Sequence, residues 1–296
     1  QQASRLVIRA GEDAPYEVSF DPSGWDRHPP LEAAMAYMKL PEHLALRVTT
    51  HSQAPPGAGT GTSAAVTVAL LGALDLLTEG CLSPREVAYA AHAVETQVLK
   101  QQSGIQDQLC AAFGGINFID VPEYPHAVLK PIHVSDDVWW ELGRRLVLIY
   151  LGSSHSSSQL HEKVIRDLQD LGPDCGELDD LRLAAEKAHR AVEKGDLDAL
   201  GRSMQANTDA QARLHPDLVS HGALRVIDIA RAHGALGWKV NGAGGRGGSV
   251  TLLCGALSRA KRAMIRDIEQ EESPFQNIPI HLSRHGLRVW ERELGS

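Results

Sequence analysis

The stretch Pro55-Pro56-Gly57-Ala58-Gly59-Thr60-Gly61-Thr62-Ser63-Ala64-Ala65 constrains this chain more than any other. It follows an alternating run, Leu44 to Thr50, that predicts a strand, and it opens an almost wholly apolar run, Ser63 to Leu77, that predicts a helix buried on most sides. The chain must therefore pass from strand to helix through a flexible loop. Backbone amides approach a phosphate closely only where side chains are absent, and a helix N-terminus adds unsatisfied N–H groups and the positive end of a dipole. A plain strand-to-helix turn is the alternative reading, but three glycines in five residues exceed what a turn requires. The best-known phosphate loops do not fit. GxxxxGK[ST] needs lysine where Thr62 stands, and GxGxxG needs a third glycine where Thr62-Ser63-Ala64 follows Gly61.

The rest of the chain reads as α+β in two halves. Arg5 to Phe20 predicts a strand, a Gly-Glu-Asp turn and a second strand, and Pro30 to Leu40 has helical apolar spacing. Ser83-Pro84-Arg85-Glu86 is a capping box with proline at the first helical position, so a helix runs from there to about Lys100. A short helix is expected from Gln106 to Ala112, a strand from Ile116 to Asp120, and then a proline-containing connection, Val121 to Pro131. Arg145 to Leu151 is a short apolar run typical of a buried strand. Helical patterns dominate from Ser157 to His233, with breaks at Gly172-Pro173, Gly195 and His215-Pro216. Strands at Trp238 to Asn241 and Ser249 to Cys254 flank a second glycine loop, before a helix near Leu257 to Glu269 and a strand from Ile278 to Leu282. The division is expected as residues 1–140 and 141–296.

Composition removes several function classes. A formal net charge of −8 argues against a nucleic-acid partner held by phosphate neutralisation. The run Arg259, Lys261, Arg262, Arg266 has helical spacing and reads as a solvated face. Cys81, Cys110, Cys175 and Cys254 are far apart with no CxxC pair, which suggests free thiols in a cytoplasmic chain, and no apolar stretch is long enough for a membrane segment. The fourteen histidines show no metal-ligand spacing such as HExxH.

What the glycine stretch does match is the second motif of the GHMP small-molecule kinases, Pro-x-x-x-Gly-Leu-Gly-Ser-Ser-Ala. Pro55, Gly59, Gly61, Ser63 and Ala64 coincide, with Thr60 for the leucine and Thr62 for the first serine. Lys239-Val-Asn-Gly-Ala-Gly-Gly-Arg-Gly-Gly-Ser249 resembles the third motif of that family, with Arg246 interrupting the glycines. Gly104-Ile-Gln-Asp-Gln108 and Phe113-Gly-Gly-Ile-Asn117 are most similar to sugar 1-kinases of the D-glycero-D-manno-heptose 7-phosphate kinase branch. The resemblance implies a two-domain fold, with an N-terminal domain like ribosomal protein S5 domain 2 and a ferredoxin-like C-terminal domain. It also implies ATP and Mg²⁺, a sugar-phosphate substrate, no nucleic acid or membrane partner, and admits a homo-oligomer.

The site residues follow partly from chemistry and partly from the resemblance. Loop amides of Gly57, Ala58, Gly59, Thr60, Gly61, Thr62 and Ser63 are the expected phosphate cradle, and Pro56 is expected with them among the nucleotide-binding residues. Glu95 lies on a small, apolar strip with Ala91, His92 and Val98, so it either faces solvent or points into a site. The resemblance makes Glu95 and Ser63 the magnesium ligands, a sufficient set for an ion that keeps several waters. Asp107 could be a helix N-cap or a catalytic acid–base group, and the resemblance implies the catalytic aspartate. Gly152-Ser-Ser-His-Ser-Ser-Ser158 could hold a second anion or simply cap a helix. The resemblance implies substrate contacts from Gln106, Ser154, His155, Gly244 and Gly245.

GHMP kinases of this branch begin with a strand and a Gly-Gly-Gly-Thr-Asp type stretch that is not found before residue 5, so the N-terminal segment is expected to be incomplete. That keeps a ligand-binding regulator on the same scaffold as the alternative to an enzyme, although such a regulator would need neither Glu95 nor Asp107. A diphosphomevalonate decarboxylase-like enzyme is disfavoured by the two branch signatures.

Overall fold

The alternating run Leu6–Ala10 forms strand β1, and the glycine turn at Gly11 returns the chain as β2 (Tyr16–Glu17), antiparallel to it. A computed structural model describes residues 6–18, 24–41, 44–55, 57–78, 80–152, 163–166, 168, 176–242, 247–271 and 274–292. The chain divides into two units, Gln1–Gln53 with Gly61–Lys130 and Ser283–Ser296, and Ala54–Thr60 with Pro131–Leu282.

In the first unit, helix α1 (Pro29–Tyr37) carries the chain over to β3 (Leu46–Thr50), which lies parallel to β1 with Ile8 opposite Val48, giving the order β2-β1-β3. Helix α2 (Thr62–Asp75) buries Ala64, Val68, Leu71 and Leu74. Ala65, Ala69 and Ala73, spaced at i, i+4 and i+8, stay exposed, so one stripe of this helix faces out. Helix α3 (Pro84–Ala93) opens on the expected capping box, in which Glu86 N–H donates to Ser83 Oγ at 3.3 Å and Ser83 N–H donates to Glu86 Oε2 at 2.7 Å. The helix does not continue as α to Lys100. It widens into a π-helix over Val94–Val98, where Leu99 N–H reaches back to the Val94 carbonyl.

Helix α4 (Gln106–Phe113) leads into β4 (Asn117–Glu123), and the segment expected as a mere connection is a hairpin partner, β5 (His126–Pro131). A two-stranded sheet has only edges, so Pro122 and Pro131 cost no central ladder bond and do not exclude a strand. Ile8, Met35, Leu71, Val87, Ile105 and Leu109 form the centre of this unit's core.

The second unit holds a four-stranded antiparallel sheet of β6 (Leu146–Tyr150), β7 (Gly237–Val240), β8 (Ser249–Leu253) and β9 (Gln276–Ile278), in the order β7-β8-β6-β9. Second, third, first, fourth is the ferredoxin-like order. Strand β9 ends earlier than the sequence suggests because Pro279 has no N–H to donate to β6. Helix α5 (Asp136–Arg145) precedes β6 and was not expected. Its signals are in the sequence, with Ser135 accepting from Val138 N–H at 3.3 Å, two aspartates in the first turn and two arginines in the last.

Helices α6 (Gly176–Lys194), α7 (Leu197–Leu214) and α8 (His221–Ala232) follow, with breaks at Gly195 and at His215-Pro216 as expected; the break at Gly172-Pro173 lies outside the described residues. Helix α7 covers the open edge of β7. Gln205 Nε2 donates to the Leu236 carbonyl at 2.8 Å, Thr208 Oγ1 to Trp238 at 3.2 Å and Gln211 Nε2 to Gly242 at 3.4 Å, so carbonyls along this edge find donors one helical turn apart. Helix α9 (Ser258–Glu269) keeps Arg259, Arg262 and Arg266 in solvent, but Lys261 departs from the expected solvated face: its Nζ donates to the Arg144 carbonyl at 2.6 Å.

The C-terminal stretch returns to the first unit. Gly115 N–H donates to the Ser283 carbonyl at 2.9 Å and Leu287 N–H to the Ala112 carbonyl at 3.0 Å, while the Leu287 side chain lies against Gly72 of α2. This strap is admitted by Gly114, whose missing Cβ would fall 2.2 Å from the Gly286 nitrogen and whose φ is +65°. Gly114→Ala should therefore lower unfolding stability in urea by about 3 kcal/mol, from strain and a backbone clash that cannot relax by rotating a side chain. The exposed Gly234, with open space around it, should cost far less on the same change.

Candidate active site

Helix α2 begins at a residue with no side chain. Gly61 occupies the cap position with φ 71° and ψ 23°, a left-handed conformation that glycine adopts at little cost, and no side-chain oxygen at the cap competes for the first-turn amides. A Cβ on Gly61 would lie 3.0 Å from Asp107 Cγ and 3.2 Å from its Oδ2. The aspartate carboxylate thus packs directly on the start of α2, where the helix dipole favours negative charge. Asp107 is exposed and lies within the first turn of α4, one place beyond Gln106; the cap of that helix is Ile105, so the N-cap reading of Asp107 does not apply. Gln106 is also exposed, with its side-chain oxygen folded over Gly104.

Two residues into α2, Ser63 Oγ donates to Glu95 Oε1 at 3.3 Å. Glu95 sits in the π-helical turn and is 6% exposed, so it does not face solvent. Its other oxygen, Oε2, accepts from Ser103 Oγ at 2.6 Å and from Gln108 Nε2 at 2.8 Å. All three donors are neutral, and no Lys, Arg or His pairs with this carboxylate among the described residues. A buried carboxylate with a hydroxyl alongside and no counter-ion is a donor set that suits a hard divalent cation. Among the described residues no cluster of three or more His, Cys, Asp or Glu could hold a metal by itself.

The motifs do not single out Ser103, and Gln108 enters only as the last residue of the Gly104-Ile-Gln-Asp-Gln108 signature, with no role attached to it. Ser103 is itself held. Its carbonyl accepts from Tyr124 Oη at 2.9 Å, and the Tyr124 hydroxyl lies 2.9 Å from His92 Nε2, with the two rings edge to face. Cys110 stands one turn beyond Asp107, and burial first, then the Asp107 charge, push its thiol up from the ordinary value.

The other half of the glycine stretch is anchored in the second unit. The Ala58 carbonyl accepts from the buried Ser249 Oγ at 2.5 Å, and a Cβ on Gly59 would stand 3.1 Å from the Asn241 carbonyl oxygen. The two glycine loops of the sequence therefore touch, backbone to backbone, at Gly59 and Gly242. Asn241 ties its own loop together through Nδ2 bonds to Ser249 Oγ at 2.9 Å and Thr251 Oγ1 at 2.8 Å. Pro56, Ser154, His155, Gly244 and Gly245 lie outside the described residues.

Two family profiles match this chain: "GHMP kinases N terminal domain" over residues 31–115 and "GHMP kinases C terminal" over residues 188–269. The chain belongs to the GHMP kinase family. Among curated relatives it is 24% identical to the D-glycero-alpha-D-manno-heptose 7-phosphate kinase of Campylobacter jejuni, over 83% of this chain and 71% of that one. It is 30% identical to the mevalonate kinase of Pyrococcus horikoshii, over 87% of this chain and 72% of the relative. A solved D-glycero-D-manno-heptose 1-phosphate kinase from Bacteroides thetaiotaomicron shares the fold at a TM-score of 0.67 and 20% identity, covering 98% of this chain and 85% of that one. As a GHMP kinase the protein is an ATP-dependent phosphotransferase acting on a small molecule. Among the described residues no helix is long and apolar enough to cross a membrane.

Gly61→Ala tests the loop directly. It forces an alanine into a left-handed cap and pushes a methyl group against the Asp107 carboxylate. Calorimetric titration with a non-hydrolysable ATP analogue should show binding abolished, while the melting curve should record a loss of only about 1–2 kcal/mol, the usual cost of that backbone conformation. Intact affinity would make the stretch a turn and nothing more.

Proposed function

We propose that this GHMP kinase transfers the terminal phosphate of ATP to the anomeric hydroxyl of D-glycero-D-manno-heptose 7-phosphate. The product would be the 1,7-bisphosphate, a precursor of nucleotide-activated heptose for cell-surface polysaccharide. The observation that carries the chemistry is the packing of Asp107 on Gly61 beside the Ser63–Glu95 pair, which gathers an acid–base group and a cation-binding pair at one helix start. The sugar is supported by the Gly104-Ile-Gln-Asp-Gln108 and Phe113-Gly-Gly-Ile-Asn117 signatures and by the likeness to the Campylobacter relative.

In this reading the amides from Gly57 to Ser63 receive the phosphate oxygens of ATP, with no side chain in the way at the glycines. Ser63 and Glu95 would hold a magnesium ion, which would supply positive charge against the phosphate oxygens. Asp107 accepts the proton of the attacking sugar hydroxyl as that oxygen bonds to phosphorus and the bond to ADP breaks. Gln106, one residue before it, contacts the sugar. The reaction belongs in the cytoplasm, where ATP is supplied.

A second reading is favoured by a specific observation, the 30% identity to the Pyrococcus mevalonate kinase, which exceeds that to the heptose kinase. ADP release measured over a panel of sugar phosphates and mevalonate, with the position of the new phosphate determined in the product, separates the two. Phosphate on carbon 1 of the heptose supports the first reading, and turnover of mevalonate alone replaces it. Asp107→Asn should keep ATP affinity and lower turnover ~10²-fold or more, the scale of a lost acid–base group. Equal turnover in variant and parent would remove Asp107 from the mechanism.

A further inference from the structure

The two oxygens of Glu95 are treated differently. Oε2 is occupied by two donors, Ser103 Oγ at 2.6 Å and Gln108 Nε2 at 2.8 Å, whereas Oε1 has only the looser 3.3 Å contact with Ser63 Oγ. Gln108 is fully buried at 0% exposure, and because an ionised carboxylate only accepts, the amide must turn its NH₂ toward Glu95. That orientation leaves Gln108 Oε1 buried without a hydrogen-bond partner among the described residues, a cost the chain bears to keep the donor on Oε2. Ser103 is fixed in turn from its own carbonyl, which Tyr124 Oη approaches at 2.9 Å and His92 Nε2 at 3.3 Å.

We propose that Ser103 and Gln108 are positioning residues that set the choice of metal, by holding Glu95 Oε2 away so that the carboxylate offers Oε1 alone, beside Ser63. The inference rests on the reading of Glu95 as the metal carboxylate. Magnesium takes carboxylates through single oxygens in a tight octahedron, whereas calcium, larger and with six to eight ligands, readily takes both oxygens of one carboxylate. A carboxylate with one oxygen tied up is therefore matched to magnesium and poorly matched to calcium. Releasing Oε2 would allow two-oxygen binding and erode that preference.

The test compares the full chain with Ser103→Ala, Gln108→Leu, Ser103→Thr and Glu95→Gln, measuring by calorimetry the affinity for ADP with saturating magnesium and with saturating calcium. A melting curve for each variant records folding. The expected result is that Ser103→Ala and Gln108→Leu lower the magnesium-to-calcium affinity ratio about tenfold, the scale of lost outer partners of a metal ligand. Ser103→Thr, which keeps the hydroxyl, should hold the parent ratio. Should Gln108→Leu fail to fold, the contrast between alanine and threonine at position 103 decides alone. If Ser103→Ala and Gln108→Leu leave the ratio unchanged while Glu95→Gln alters it, the positioning role is wrong and the metal reading stands. If Glu95→Gln itself leaves the ratio at the parent value, Glu95 is not the metal carboxylate and both readings fall.

Discussion

A carboxylate taken out of water must find donors or a cation, or the fold that buries it loses several kcal/mol. Glu95 is such a group, and much of the first unit is arranged around it. The helix that bears it widens to a π turn at Val94–Val98, a distortion frequent at functional sites, and the chain then turns sharply at Lys100, a non-glycine residue at φ 56°. That turn returns Ser103 and then Gln108 to the same carboxylate. Since Gln108 follows Asp107 on α4, the bonds that satisfy Glu95 also fix the helix whose first turn carries Asp107. The Ser63–Glu95 contact and the helix that bears Asp107 are thus tied together through Gln108.

Elements with local signals were legible in the sequence. The capping box at Ser83 is present atom for atom, the alternation of Leu46–Thr50 gives a strand, and the Ser63 run gives a helix. The hairpin β4/β5 was missed because proline was weighed as a breaker without knowing that the sheet would have two strands only. Helix α5 was missed although Ser135, Asp136, Asp137, Arg144 and Arg145 mark both its ends; its sequence is polar enough that no apolar period stands out, and only Leu142 is buried.

For the candidate site, Ser63, Glu95 and Asp107 come from motifs that carry residue types at fixed spacing along the chain. The bonds of Ser103 and Gln108 to Glu95 could not be read there, because they come from the return of a loop onto a carboxylate, a long-range contact that no period or cap announces. Asn241 and Ser249 belong to the same class: they flank the second glycine loop in sequence, and only the fold reveals that Ser249 holds Ala58 and that Gly242 touches Gly59.

The Phe113-Gly-Gly-Ile-Asn117 signature has a physical reason distinct from substrate contact. Gly114 gives room to the backbone at His285 and Gly286, Gly115 N–H bonds the Ser283 carbonyl, and Asn117 Nδ2 closes the turn by donating to the Gly114 carbonyl at 2.8 Å. These contacts hold the strap and its turn, and the strap touches two helices, α4 at Ala112 and α2 at Gly72. Beside its likeness to the heptose kinase branch, the signature therefore also serves to hold α2 and α4 together through the strap.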